Sequence, residues 1–144
     1  MKRRDFLEEF LLIGAGISMS KYAKGAKQTK VPKRKLGKTG EKLSMIGFGG
    51  IIVMNETIKT AKERVSAAID RGINYFDVAP TYGNAETRLG PALEPYRKDS
   101  FLACKTMKRD REGARKELEA SLKNLQTDYF DLYQLHAITD VEND

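Results

Sequence analysis

One cysteine, one histidine and no long apolar run are the first things this sequence shows by their scarcity. The lone Cys104 excludes an internal disulfide and any metal site built on a cysteine cluster. No stretch reaches the roughly 18 apolar residues that a membrane-spanning helix requires, so no stable span is expected. Positive charge is also missing where a nucleic-acid surface would need it. The net charge is +6, but the first 42 positions hold 12 basic and 4 acidic residues, and the rest hold 14 and 16. The leader is therefore +8 and the body −2, which removes nucleic acid as an expected partner of the body. The 144 residues are enough for one modest domain with a core.

The leader has its own pattern. Lys2-Arg3-Arg4-Asp5-Phe6-Leu7 sets paired arginines ahead of Phe-Leu, and after Glu8-Glu9 comes the mildly apolar run Phe10 to Ser20. This resembles a twin-arginine export signal, with Ala23-Lys24-Gly25 as a cleavage candidate. The resemblance implies the twin-arginine export machinery as a partner and an exported, periplasmic location. The alternative is a basic amphipathic N-terminal helix on a cytoplasmic protein. Residues 1–30 are accordingly expected to be signal and basic linker, and residues 31–144 the folded body.

The body reads as alternating elements. Lys35 to Leu43 has two short arms about a glycine-containing loop, which predicts a small hairpin. Leu43 to Gly50 predicts a first core strand ending in glycines, where another group can approach the backbone closely. Ile58, Ala61, Val65, Ala68 and Ile69 recur at helical steps, with Gly72 as a left-handed cap. Ile73 to Asp77 predicts the second strand, Ala85 to Leu93 a short helix bounded by Pro95, and Phe101 to Lys105 the third strand. Ala114, Leu118, Leu122 and Leu125 share a face of a helix over 112–124, and Tyr129 to Leu135 predicts the fourth strand. Strand and helix alternating in this way make a repeated βα unit with a parallel sheet. Four such strands suit either a small doubly wound sheet or half of an eight-stranded barrel, and the pattern alone does not choose.

Chemistry gathers where the strands end. Asp77 closes the second strand and Tyr82 follows it in the turn Ala79-Pro80-Thr81-Tyr82-Gly83; Lys105 ends the third strand and His136 the fourth. Singly, each has a duller explanation: a turn carboxylate, a packing tyrosine, a solvated lysine, a structural histidine. Together, at successive strand ends, they form a catalytic layout. Side chains alternate along a strand, so if Lys105 points into the site, Cys104 points toward the helix layer as a small core residue.

Gly47-Phe48-Gly49-Gly50, Asp77 through Gly83, Ala103-Cys104-Lys105-Thr106 and Asp128 through His136 resemble, in order and approximate spacing, the N-terminal half of an aldo/keto reductase. The resemblance runs from about Lys33 to the last residue. It implies a (β/α)8 TIM barrel, about four of whose βα units are present here, and reduction of a small-molecule aldehyde or ketone with NADPH or NADH. By the same resemblance Tyr82 matches the proton donor. A free phenol holds its proton to about pH 10, so a nearby ammonium eases its release; Lys105 matches that ammonium. Asp77 matches the carboxylate that holds the lysine and faces the cofactor ribose. His136 matches the group that orients the carbonyl oxygen, and Gly49 and Gly50 match the turn against the nicotinamide. A full barrel takes about 250 residues, and in the family most of the nucleotide grip comes from later strands. The expectations are therefore an aldo/keto reductase chain of about half length, or an inactive half-barrel whose exposed sheet edge drives self-association.

Overall fold

The computed structural model describes residues 30–140. The leader expected to be an export signal lies almost wholly outside that range, as do residues 141–144.

A hairpin comes first. β1 (Lys33–Lys35) and β2 (Lys42–Ser44) pair antiparallel, with Lys33 opposite Ser44. The expected first core strand is shorter than the apolar run that predicts it. Leu43 and Ser44 belong to the hairpin, and only Phe48–Gly49 forms β3 of the main sheet. Asn74 explains the interruption. Its side-chain oxygen accepts from the Ser44 N–H at 2.8 Å, and its side-chain nitrogen donates to the Lys42 carbonyl at 2.9 Å. The hairpin is thereby fastened to the chain just before β4, and a bend at Met45 and Ile46 separates it from β3.

After a short 3-10 turn at Gly50–Val53, α1 (Ile58–Asp70) begins at Thr57, whose hydroxyl accepts from the Thr60 N–H at 3.1 Å. It ends as its sequence predicts. Gly72 takes φ +85°, its N–H donates to the Ile69 carbonyl at 2.8 Å, and the Ile73 N–H donates to the Ala68 carbonyl at 3.1 Å. This paired closure occupies Ile73, so β4 is Tyr75–Asp77 rather than the longer stretch from Ile73. Then follow α2 (Ala85–Leu93), a 3-10 segment Glu94–Asp99, β5 (Phe101–Thr106), α3 (Arg111–Leu125) and β6 (Leu132–Leu135). β6 starts three residues later than Tyr129, and Asp131 fastens the approach to it: its N–H donates to the Leu102 carbonyl at 3.0 Å, and its carboxylate accepts from the Leu102 N–H at 2.8 Å and from Arg97 at 3.0 Å.

The four main strands are parallel and lie in sequence order, β3-β4-β5-β6. A doubly wound sheet reverses direction at a switch point and carries helices on both faces. Here the order runs one way, and a single apolar cluster gathers Phe48, Phe76, Val78, Leu102 and Cys104 from the strands with Val65, Leu89, Leu93 and Leu125 from all three helices. That arrangement is the wall of a barrel. Fully burying a side chain the size of Phe76 or Leu102 contributes about 1.5–3 kcal/mol, which makes this helix-side layer the main source of stability. The other face of the same strands presents Tyr75, Asp77, Phe101, Ala103 and Lys105, by the alternation of side chains along paired strands.

Candidate active site

The inward face becomes polar at the carboxyl ends of the strands. Asp77 is the last residue of β4, level with Gly49 on one side and Ala103 on the other; Lys105 lies two residues further along β5. The Lys105 ammonium forms a close ion pair with the Asp77 carboxylate and also donates to the Val78 carbonyl at 3.4 Å. Neither member is sealed from water: the side chains are 14% and 26% exposed.

Tyr82 is delivered by the turn that follows β4. Its N–H donates to the Ala79 carbonyl at 3.0 Å and its own carbonyl accepts from Ala85 at 3.0 Å, so the turn runs directly into α2. The half-buried ring packs against the core, and the Lys105 ammonium lies 5.4 Å from its centre. The His136 ring meets that of Tyr82 edge to face, with centroids 5.8 Å apart and planes at 88°. His136 arrives just beyond β6, where its N–H donates to the Thr106 carbonyl at 2.9 Å. Carboxylate, phenol, ammonium and imidazole, expected from four strand ends and turns, are therefore drawn to one rim of the sheet.

The two glycines differ. A Cβ on Gly50 would meet Val78 atoms at 2.9 Å and the Asp77 carbonyl at 3.0 Å, so packing against β4 alone accounts for its lack of a side chain. A Cβ on Gly49 would meet nothing within 4 Å, and Gly49 is exposed beside Asp77. Of the pair, Gly49 is the one that leaves the backbone open to approach from the site.

Cys104 faces away, as alternation predicts. It is fully buried in the helix-side layer, with its sulfur 3.7 Å from the Glu86 carboxylate of α2. Burial, and then the negative charge of Glu86, push its thiol up to about 12, so it stays protonated and has no nucleophilic part to play. On the inward face Tyr75 stacks edge-on against Phe101 at 5.8 Å; burial first, and the Asp77 charge second, raise its phenol above 10.0.

Three supporting residues escaped the sequence reasoning. Thr81 places its hydroxyl oxygen 3.3 Å from Nδ1 of His136. Arg109 donates to the His136 carbonyl at 2.8 Å and to that of Ala137 at 3.3 Å, bracing a left-handed Ala137 with φ +54°. Glu117 accepts from the Met107 N–H at 2.8 Å and from the Thr106 hydroxyl at 2.5 Å, fixing the end of β5 next to Lys105. No periodicity announces such contacts, because each joins positions distant in sequence through one hydroxyl, guanidinium or carboxylate.

A family model described as the aldo/keto reductase family matches residues 45–142. The chain belongs to that family. Aldo/keto reductases are oxidoreductases that generally use NAD(P)H and act on small carbonyl compounds. Aldo-keto reductase YhdN of Bacillus subtilis is 40% identical over 117 residues, which cover 68% of this chain and 35% of that protein. L-Galactose dehydrogenase of Arabidopsis thaliana is 36% identical over 130 residues, covering 76% and 39%. A solved structure of an aldo-keto reductase from Pseudomonas aeruginosa matches with a TM-score of 0.70 at 31% identity, over 76% of this chain and 48% of that one. The fold is accordingly part of a TIM barrel, and this aldo/keto reductase chain spans between about a third and a half of the length of these relatives. The described part holds four barrel strands and the three helices between them.

Proposed function

We propose that this chain carries the proton-delivering side of an NAD(P)H-dependent carbonyl reductase acting on a small aldehyde or ketone. The observation that carries the proposal is the convergence of Tyr82, Lys105, Asp77 and His136 on one rim. The open backbone at Gly49 beside the Asp77 carboxylate suits the ribose and nicotinamide end of such a cofactor, so Gly49 and Asp77 are the residues assigned to hold it. A bound reduced nicotinamide supplies the hydride that the carbonyl carbon takes up.

The chain's own residues handle the oxygen. The Tyr82 hydroxyl gives its proton to the carbonyl oxygen as the alcohol forms, and solvent restores that proton after release. The Lys105 ammonium offsets the negative charge left on the phenolate, and the Asp77 carboxylate holds that ammonium in place through their ion pair. His136 donates a hydrogen bond to the same oxygen and fixes its direction, which matters most as negative charge develops there.

Isothermal titration of the 144-residue chain with NADPH and with NADH tests the cofactor assignment. Loss of nicotinamide absorbance over a panel of small aldehydes, ketones and aldoses tests the reaction; aldoses belong in it because the Arabidopsis relative is named for L-galactose. Tyr82→Phe is expected to lower turnover by roughly 10²–10⁴-fold without moving the thermal midpoint. Undiminished turnover in that variant would overturn the proton-donor role. A second reading, a non-catalytic half-barrel, is favoured by the chain spanning only 35% to 48% of these relatives, while a whole barrel takes about 250 residues. A folded chain that gives no heat with either nucleotide would select it.

We also propose export through a twin-arginine route, on the strength of Arg3 and Arg4 ahead of Phe6-Leu7. That route carries folded proteins, which is what a cofactor-bearing enzyme leaving the cytoplasm needs. A reporter fused to residues 1–30 should leave the cytoplasm and should be retained when both arginines become lysine.

A further inference from the structure

His136 is held at its backbone by two groups from the end of β5 and the loop after it: the Thr106 carbonyl accepts its N–H at 2.9 Å, and Arg109 donates to its carbonyl at 2.8 Å. Its ring meets a different element. Thr81, in the turn after β4, sets its hydroxyl 3.3 Å from Nδ1, and Tyr82 next to it stacks edge-on against the imidazole. A neutral imidazole carries one ring proton, and the partner of one nitrogen decides which nitrogen bears it. Resting on the carbonyl-reductase reading above, we infer that Thr81 is a positioning residue that sets the tautomer of His136. The hydroxyl donates to Nδ1, the single ring proton stays on Nε2, and Nε2–H is the group left to donate to a substrate oxygen. With the proton on Nδ1 instead, Nε2 would be a lone-pair acceptor facing a carbonyl oxygen that is also an acceptor, and the contact would repel.

His136 is the only histidine in the chain, so one imidazole gives one set of signals. Nitrogen–proton correlation spectra of the uniformly ¹⁵N-labelled chain, recorded near pH 8.5 where an ordinary imidazole is neutral, report the tautomer directly. The wild-type chain should show a pyrrole-like Nε2 and a pyridine-like Nδ1. Thr81→Val removes the hydroxyl at nearly constant shape and at an exposed position, and should shift the tautomer ratio toward Nδ1–H by roughly two- to tenfold, the worth of one ordinary hydrogen bond. Thr81→Ser should restore the wild-type ratio, and Thr81→Ala, which loses the hydroxyl without adding a methyl that could crowd the ring, should repeat the valine result. A wild-type chain with the proton on Nδ1, or a ratio that ignores Thr81→Val and Thr81→Ala alike, overturns the inference. The spectra require neither cofactor nor turnover. A wrong tautomer in an active chain therefore sinks this inference alone, and the expected tautomer in a chain without turnover sinks carbonyl reduction alone.

Discussion

Cys104 and Lys105 are neighbours in sequence with opposite surroundings, and the contrast yields two predictions. The Cys104 thiol lies against Glu86 in the helix-side layer, pushed from 9.0 up to about 12. A thiol whose proton is held more tightly in the folded chain than in the unfolded one stabilises the fold fully below pH 9.0, and that contribution is lost as pH rises toward 12. Urea midpoints measured from pH 8 to pH 10.5 should fall more steeply for the wild-type chain than for Cys104→Ala. At pH 8 the folded chain should resist iodoacetamide, whereas the chain in 8 M urea should be alkylated; rapid labelling of the folded form would refute the buried, protonated thiol. Asp77, Lys105 and His136 could be singled out in the sequence because a polar residue that ends an apolar run stands out against it, and Tyr82 because it lies in the Pro/Gly turn that follows one. Thr81 could not: a threonine beside a glycine-containing turn is ordinary, and its partner His136 lies 55 positions away.

Helix α2 meets α3 at a point where there is no room for a side chain. A Cβ on Gly90 would sit 2.7 Å from the backbone carbon and oxygen of Leu125, and backbone yields less readily than a flexible side chain. Gly90→Ala should therefore separate the two helices and destabilise the chain by about 1–3 kcal/mol, measured as a lower urea midpoint. Thr57→Ala, which removes the cap of α1, should cost about 1 kcal/mol by the same measure. The helices and the hairpin were readable because their signals are local: apolar spacing, a capping hydroxyl, a glycine at the end. β5 begins at Phe101 as expected, but β3, β4 and β6 start later than their apolar runs do. Asn74 and Asp131 accept, through their side chains, backbone N–H groups that would otherwise extend a ladder, and the Ile73 N–H turns back to close α1. An apolar run reports burial, whereas the length of a strand depends on which groups claim its amides.

At the scale of the molecule, β3 and β6 are the edges of the sheet among the described residues, and Leu132 and Leu135 of β6 are 36% and 46% exposed. Unpaired apolar edges attract other strands. The 144-residue chain on its own is expected to sediment as more than a monomer, and Leu135→Lys should return it toward one; a wild-type chain that stays monomeric at high concentration contradicts this. The repeated βα pattern made the parallel sheet legible but did not choose between a doubly wound sheet and a barrel wall, because strand order and the one-sided covering are set by contacts between distant segments. That one-sidedness has a further consequence. Packing lies on the convex surface of the strands and the reacting groups lie on the concave one, so selection can act on the two almost separately. On the carbonyl-reductase reading, a library randomised at the exposed positions Gly49 and Gln134 should sample new substrate preferences while its members melt close to their parent, which makes this barrel wall a tolerant substrate for evolution.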